Sequence, residues 1–348
     1  MGAVEPALGR PDPDEPLARA RAVLANAVEF DRAGRTLLAE RGYQEAAGLG
    51  RAAAAADVES EALRRLAVIR HHAGDSGEAR RFGRASLAAA RTASDAKAMA
   101  QSLNVLAGVA LEQGELGDAR RLYDEARHFA GGAAEVIAKI EANLGIVANI
   151  QGDADQARRH FHQAVRLYRQ VADEHGVALA LHNLGMISAD QRQFRRAQRQ
   201  FEQALALAQR TGDLRLEALC RLSRAEVLVE SERYDEAAAE AELAQMLFSR
   251  LESVVEEADV YRVLGAIFRR VGQLRIAESN LLAACAHART TGAALTEAES
   301  LRELGRLRVD QGNSAAAANV FREAGEVFGR LGAKGDLADI ESSLAAIG

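Results

Sequence analysis

The side chains able to do chemistry are scattered along this chain rather than gathered. His160 and His162 stand two residues apart. On a helix they point to different sides, so they cannot hold one metal ion between them. His71 and His72 are adjacent and fail for the same reason. His175 and His182, seven apart, could share a helix face, but ligation would need two further groups. All these histidines read as solvated or hydrogen-bonded structural residues. Cys220 and Cys285 lie 65 residues apart and form neither a disulfide framework nor a metal motif. They are expected to be reduced thiols of a cytoplasmic protein. No GxxxxGK[ST] loop occurs: "GRLGAKGDLADI" offers Lys334 without a following Ser or Thr and without a preceding strand. GxSxG, HExxH and paired CxxC are absent too. The sequence therefore implies no catalytic residue, no metal and no cofactor.

The elements that carry these residues are helices. The chain has 348 residues, 48% hydrophobic and 27% charged, enough to bury a sizeable core. Aromatics make up only 4% and Trp is absent, which favours close helix-on-helix packing through small side chains. Pro6, Pro11, Pro13 and Pro16 are the only prolines. Residues 1–16 thus read as a flexible Pro-rich leader, and the proline-free remainder as helical nearly throughout. Lys97, Lys139 and Lys334 are the only lysines among 44 basic residues, and the net charge is −6. The arginine bias reads as a GC-rich genome, and direct nucleic-acid binding is not expected. No apolar run approaches the ~20 residues that span a bilayer, and neither a signal peptide nor a myristoylation site is visible, so no membrane role is expected.

Self-similarity decides the architecture. In "LNVLAGVALEQGELGDA", "EANLGIVANIQGDADQA" and "LHNLGMISADQRQFRRA" a small residue follows a leucine. Aligned on that residue, the copies anchor at Ala67, Ala107, Gly145, Gly185, Ala225, Gly265 and Gly305, spaced by 40 residues except for one step of 38. Twelve residues past each anchor stands an alanine, from Ala79 to Ala317. Sixteen past stands Tyr123, Phe161, Phe201, Leu281 or Phe321 in five copies. Nineteen past is alanine in six copies. Two antiparallel helices approach closely only where both carry Gly or Ala, and the large residue fills the gap one turn away. Seven past the anchor, Gly74, Gly114, Gly152, Gly272 and Gly312 let the backbone leave the first helix. One pair cannot bury its stripe alone, so pairs must stack.

This pattern resembles the tetratricopeptide repeat in an extended 40-residue form. It is similar to kinesin light chain and Pins-type adaptors, and to the C-terminal arrays of large bacterial LuxR-type and antibiotic-regulatory activators. The resemblance covers roughly residues 30–335 and implies an all-α, right-handed superhelix of about eight helix pairs plus a C-terminal capping helix, some seventeen helices in all. The expected layout is a leader over 1–16, the array over 17–335 and the cap over 336–348. Three departures stand out. A first pair anchored on Gly34, with Ala46 twelve on, lies only 33 residues before Ala67 and implies an unusually long first helix from near Leu17. The copy at Ala225 has Arg224 in place of leucine and Ala241 in place of the aromatic, which predicts looser packing. At the C-terminus "DLADIESSLAAIG" repeats the first helix of a pair without the second.

Calling the first helix of each pair A and the second B, positions −4, −1, 0 and +3 from the anchor face helix B and neighbouring pairs. Positions −6, −3, −2, +1, +4 and +5 lie on the other face, which lines the concave groove in the resembled fold. They hold Arg64, Arg65, Asn104, Lys139, Asn143, His182, Asn183, Met186, Glu226, Glu230, Asp259, Arg262, Arg269, Arg270, Arg302 and Arg306. In 40-residue relatives asparagines at these positions hydrogen-bond an extended peptide, because an amide donates and accepts at once. The bland alternative is an asparagine bonded to water or a preceding carbonyl. Residues 226–259 hold eleven acids and residues 156–210 nine arginines. That reads either as solubility and repulsion between copies or as a surface that orients a charged partner. The expected function is a non-catalytic adaptor holding a protein or peptide, one with acidic side chains or a free C-terminus, in the groove. The alternative is the sensor module of a bacterial transcriptional or signalling system, with an enzyme a distant third; the oligomeric state stays open.

Overall fold

The computed structural model describes residues 15–347, and all of the leader up to residue 14 lies outside them. Among the described residues there are seventeen α-helices and no strand. No helix is long and apolar enough to cross a membrane. The chain divides into two compact units between Ala172 and Asp173. In the first, the A helices are α1 (Glu15–Arg32), α3 (Ala56–His72), α5 (Ala96–Glu112) and α7 (Ala134–Ile150). Each is followed by its B helix: α2 (Thr36–Ala52), α4 (Ser76–Thr92), α6 (Leu116–Phe129) and α8 (Ala154–Gln170). In the second, α9 (Glu174–Asp190), α11 (Leu214–Glu230), α13 (Val254–Arg270) and α15 (Ala294–Asp310) are the A helices. Their partners are α10 (Phe194–Thr211), α12 (Tyr234–Arg250), α14 (Leu274–Thr291) and α16 (Ser314–Leu331). A further helix, α17 (Lys334–Ile347), sends Ile340, Leu344 and Ile347 into the core of the last pair.

Helix starts follow from local chemistry. Asp75, Asp95, Asp153, Asp173, Asp213 and Asn313 each accept from the backbone N–H three residues on, satisfying one of the donors a helix start leaves open. The A-to-B turn needs one residue with positive φ, and Gly152 supplies it at φ 80. Two copies use Arg192 (φ 56) and Glu232 (φ 60) at the same place, a conformation that costs a side chain about 1 kcal/mol.

The crossing of A on B works by matched volumes. A Cβ built on Gly145 would lie 2.9 Å from Phe161, on Gly265 2.6 Å from Leu281, on Gly305 2.5 Å from Phe321, and on Gly185 closer still to Phe201. Where the anchor is alanine, two copies shrink the opposing residue, to Gly83 opposite Ala67 and Ala241 opposite Ala225. Leu106 leans into the space at Gly83, where a Cβ would meet it at 2.8 Å.

The structure corrects one expectation. The first pair does not anchor on Gly34, which is its A-to-B turn at φ 69. Its anchor is Ala27, 40 residues before Ala67, with Ala39, Tyr43 and Ala46 all fully buried at the usual offsets. The first helix accordingly has 18 residues, an ordinary length. In the copy at Ala225 the small Ala241 is fully buried in one cluster with Phe248, seven residues further along the B helix. Arg224 is tied to Glu240 at 2.9 Å.

Candidate functional site

In the second unit the A helices α9, α11, α13 and α15 line one cleft of about 590 Å³. They contribute the offsets read from the sequence: His182 and Met186 from α9, Glu226 and Glu230 from α11, Asp259, Arg262, Arg269 and Arg270 from α13, Arg302 and Arg306 from α15. The period is what brings them together. Residues 40 apart sit at the same height on successive A helices, so each offset becomes a row across the cleft. Leu219, Leu222, Val229, Val263 and Ala266 give it an apolar floor.

At one wall His182 Nε2 lies 3.1 Å from Ser223 Oγ, and that hydroxyl is 3.5 Å from Met186 Sδ. Burial pushes the His182 imidazole down to about 4, so it is neutral at pH 7 and acts as a hydrogen-bonding group rather than a charge. Asp190, the last residue of α9, has its carboxyl raised by burial and no ion-pair partner among the described residues.

The arginines of the opposite wall are already engaged. Arg262 reaches Glu226 at 2.5 Å and Glu299 at 3.2 Å, with Asp259 at 3.7 Å. Burial works to depress this guanidinium, but the three carboxylates outweigh it and hold it more firmly protonated than an ordinary arginine. Arg269 meets Glu303 at 3.2 Å and Asp310 at 2.9 Å. Arg302 meets Asp336 at 2.5 Å, and Arg306 meets Glu303 at 2.5 Å and Asp339 at 2.8 Å. Burial also works to raise the Glu303 carboxyl, yet Arg306 and Arg269 keep it below the usual carboxylate range. Of the cleft arginines Arg270 alone has no ion pair among the described residues.

The first unit treats its sequence-predicted residues differently. Asn143 donates its side-chain amide to Asn104 Oδ1 at 3.2 Å, linking α7 to α5. Arg64 and Arg65 both bind Glu61, at 2.6 and 2.8 Å, and Arg65 also lies 3.5 Å from Asp31. Lys139 pairs with Glu135 one turn away at 2.9 Å and stays half exposed. Among the described residues no group of three or more His, Cys, Asp or Glu could hold a metal ion, and both cysteines are free and buried. Burial raises both thiols, Cys220 to about 12 and Cys285 to about 11, which leaves neither activated as a nucleophile.

A tetratricopeptide repeat family model matches residues 136–210. The helix pairs within that stretch are tetratricopeptide repeats, and the other pairs share their fold. Solved structures agree on the fold. A signal-transduction ATPase with numerous domains, a protein with a tetratricopeptide repeat sensor from Pyrococcus horikoshii, superposes with a TM-score of 0.68 at 15% identity, over 95% of this chain and 50% of that one. A Rap protein complexed with Competence and Sporulation Factor gives 0.61 at 13% identity, over 95% and 98%. BtubC from P. vanneervenii gives 0.52 at 20% identity, over 67% and 92%. No curated protein matches the chain by sequence.

The tetratricopeptide register explains what the sequence located and what it missed. His182, Met186, Arg262 and Arg269 share the cleft of the second unit. Asn183 does not line it, although it occupies the offset of Ser223, Val263 and Glu303, which do. Its amide makes no hydrogen bond among the described residues. The missed residues are Ser223, Asp190, Glu299 and Glu303. All four sit at groove offsets and could have been read from them. The arginine-carboxylate pairs between successive A helices depend on side-chain reach and carried no sequence signal of their own.

Proposed function

We propose that this tetratricopeptide array is a non-catalytic scaffold that holds a segment of a protein partner against the A-helix face of its second unit. The observation that carries this reading is the cleft itself. Four successive A helices present matching offsets around one apolar floor, with polar groups on both walls. An extended chain matches such a surface, because rows of side chains at a regular spacing meet a ligand that is also periodic. Asn183 offers an uncommitted amide beside it, suited to a peptide backbone. His182, held down by burial, and the buried thiols, held up by it, are poised neither as a charged acid nor as nucleophiles near neutral pH. Two buried free thiols suit a reducing, cytoplasmic setting.

A sensor reading uses the same cleft. The Rap protein is complexed with Competence and Sporulation Factor, and the archaeal array is the sensor of a signal-transduction ATPase. In that role the segment bound here would set the state of a separate signalling or transcriptional protein.

The experiment is co-purification from the native organism with mass spectrometry, run with three versions of the chain. The wild type should retain a partner, and Ala266→Tyr, which fills the cleft floor, should lose it. Arg195→Glu with Arg199→Glu, on the exposed face of α10, should keep it. Retention by the Tyr variant together with loss in the α10 variant would place the partner on the B-helix face and refute the reading.

A further inference from the structure

The charge of the cleft says what kind of segment fits it, an inference that rests on the scaffold reading above. Six carboxylates and five guanidinium groups line the cleft. Three further carboxylates, Asp310, Asp336 and Asp339, reach in to take its arginines, whereas one outside arginine, Arg192, approaches Glu230. That makes nine carboxylates to six guanidiniums. His182 adds no charge at neutral pH.

The excess is not spread evenly. Arg262, Arg269, Arg302 and Arg306 are bound within the fold, so an acidic ligand would have to displace an intramolecular carboxylate from each. Arg270 alone is left without an ion pair among the described residues, against Asp190 and Glu230 at the same offset on α9 and α11. The uncommitted negative charge lies at the α9 and α11 wall. Asp190 has no ion pair among the described residues, and Glu230 has only Arg192, three-quarters exposed, at 3.5 Å. Asp190 and Glu230 are the last residues of their helices, where the open carbonyls already contribute negative potential. Two acids at that end of two neighbouring helices oppose the dipole, and a cation placed between them relieves both.

The floor beside them is apolar: Met186, Leu222 and Val229 line the same cleft. A lysine or arginine combines an aliphatic stem with a charged end, which is the chemistry this wall presents in mirror image. We infer that the segment held in the cleft is basic, with a lysine or arginine whose stem lies along Met186, Leu222 and Val229 and whose charge meets Asp190 and Glu230. This assigns the opposite sign from the acidic segment expected from sequence. That expectation leaned on Lys139, which Glu135 neutralises, and on the arginines of 156–210, most of which lie on the B helices α8 and α10.

The test uses the full chain and three fluorescent peptides of equal length, leucine alternating with lysine, glutamate or glutamine. A photo-cross-linker at position 266 reports occupancy of the floor, and anisotropy at low salt reports affinity. The lysine peptide should bind tightest and cross-link. Asp190→Asn with Glu230→Gln should weaken it about tenfold or more. Asp235→Asn with Glu242→Gln, the same charge change on α12, should weaken it less than twofold. If the glutamate peptide cross-links and binds tighter, the cleft stands as a binding site and the basic assignment falls. Equal weakening by the two double variants would reduce the effect to the protein's general field and overturn the assignment as well. If no peptide cross-links, the cleft is not a peptide site and both readings fail.

Discussion

Replacing Gly185 by alanine should destabilise the second unit, although alanine is the better helix former. A Cβ there would lie 2.6 Å from Phe201 Cδ1 and 2.9 Å from Cζ, with Cε1 nearer still, against about 3.4 Å or more for ordinary contact. Phe201 is fully buried, so the ring has no solvent to move into and must shift by close to 1 Å through its neighbours. Overpacking of that kind costs roughly 1–3 kcal/mol, whereas the gain in helix propensity is about 1 kcal/mol. A net loss of up to about 2 kcal/mol follows. Gly48, mid-helix with nothing within 4 Å of a built Cβ, supplies the contrast: Gly48→Ala should stabilise by roughly 0.5–1 kcal/mol. The volume argument also fixes the double variant. Phe201→Ala alone should cost about 3–5 kcal/mol, but combined with Gly185→Ala it recreates the natural Ala225 and Ala241 pairing. The two changes should therefore cost less together than their sum by roughly 1 kcal/mol or more. Because stacked repeats need not unfold in one step, the readout is amide hydrogen exchange of α9 and α10 rather than a single melting temperature. Gly185→Ala behaving like Gly48→Ala, or strict additivity in the double variant, would refute the reasoning.

Ala54 sits at φ 54 in the turn between α2 and α3, so Ala54→Gly should stabilise by up to about 1 kcal/mol, read as a rise in the denaturation midpoint of the first unit. His182 is held down to about 4 from an ordinary 6.5, so the unfolded chain takes up its proton first as pH falls. Stability should drain away between about pH 6.5 and pH 4, by roughly 3 kcal/mol at the lower end, and His182→Gln should flatten that part of the pH profile of the second unit. Glu141 is buried, and although burial works to raise its carboxyl, His160 at 2.7 Å and Arg127 at 3.5 Å hold it below the ordinary range. Glu141→Ala should cost about 2–3 kcal/mol in denaturant titration. Glu141→Leu with His160→Leu, which copies Leu103 and Leu122 one repeat earlier, should recover most of it.

Much of the fold was legible because its determinants are small residues at fixed offsets, and a glycine or alanine leaves few alternatives for what it does at a helix crossing. The first repeat was misphased for an instructive reason. Gly34 is small and follows a helical stretch, so it satisfies the look of an anchor, but its backbone at φ 69 makes it a turn. Requiring the seven-residue step from anchor to turn glycine would have pointed back to Ala27. At Ala241 the sequence shows the missing bulk but not which side chains close around it; Phe248, seven residues on, is buried in the same core. The cleft was legible in its rows but not in its charge balance. A sequence shows that Arg262 and Arg302 lie on the A face; it does not show that Glu226 and Asp336, 36 and 34 residues away, consume their charge.

The matched volumes at the helix crossings bear on how such a chain can change over generations. Gly145 with Phe161, Gly185 with Phe201 and Ala225 with Ala241 are each a lock and its own key, and both halves lie within one 40-residue cassette. A single substitution at the anchor separates lock from key, and so meets the steric penalty worked out for Gly185. A recombination that exchanges a whole cassette, cutting in the turns on either side, carries both halves together and meets none of it. Arrays built this way are free to lengthen, shorten or reshuffle by whole repeats while staying nearly frozen at their crossings, and the rows of the A-helix face, which take no part in the crossing, are where novelty accumulates.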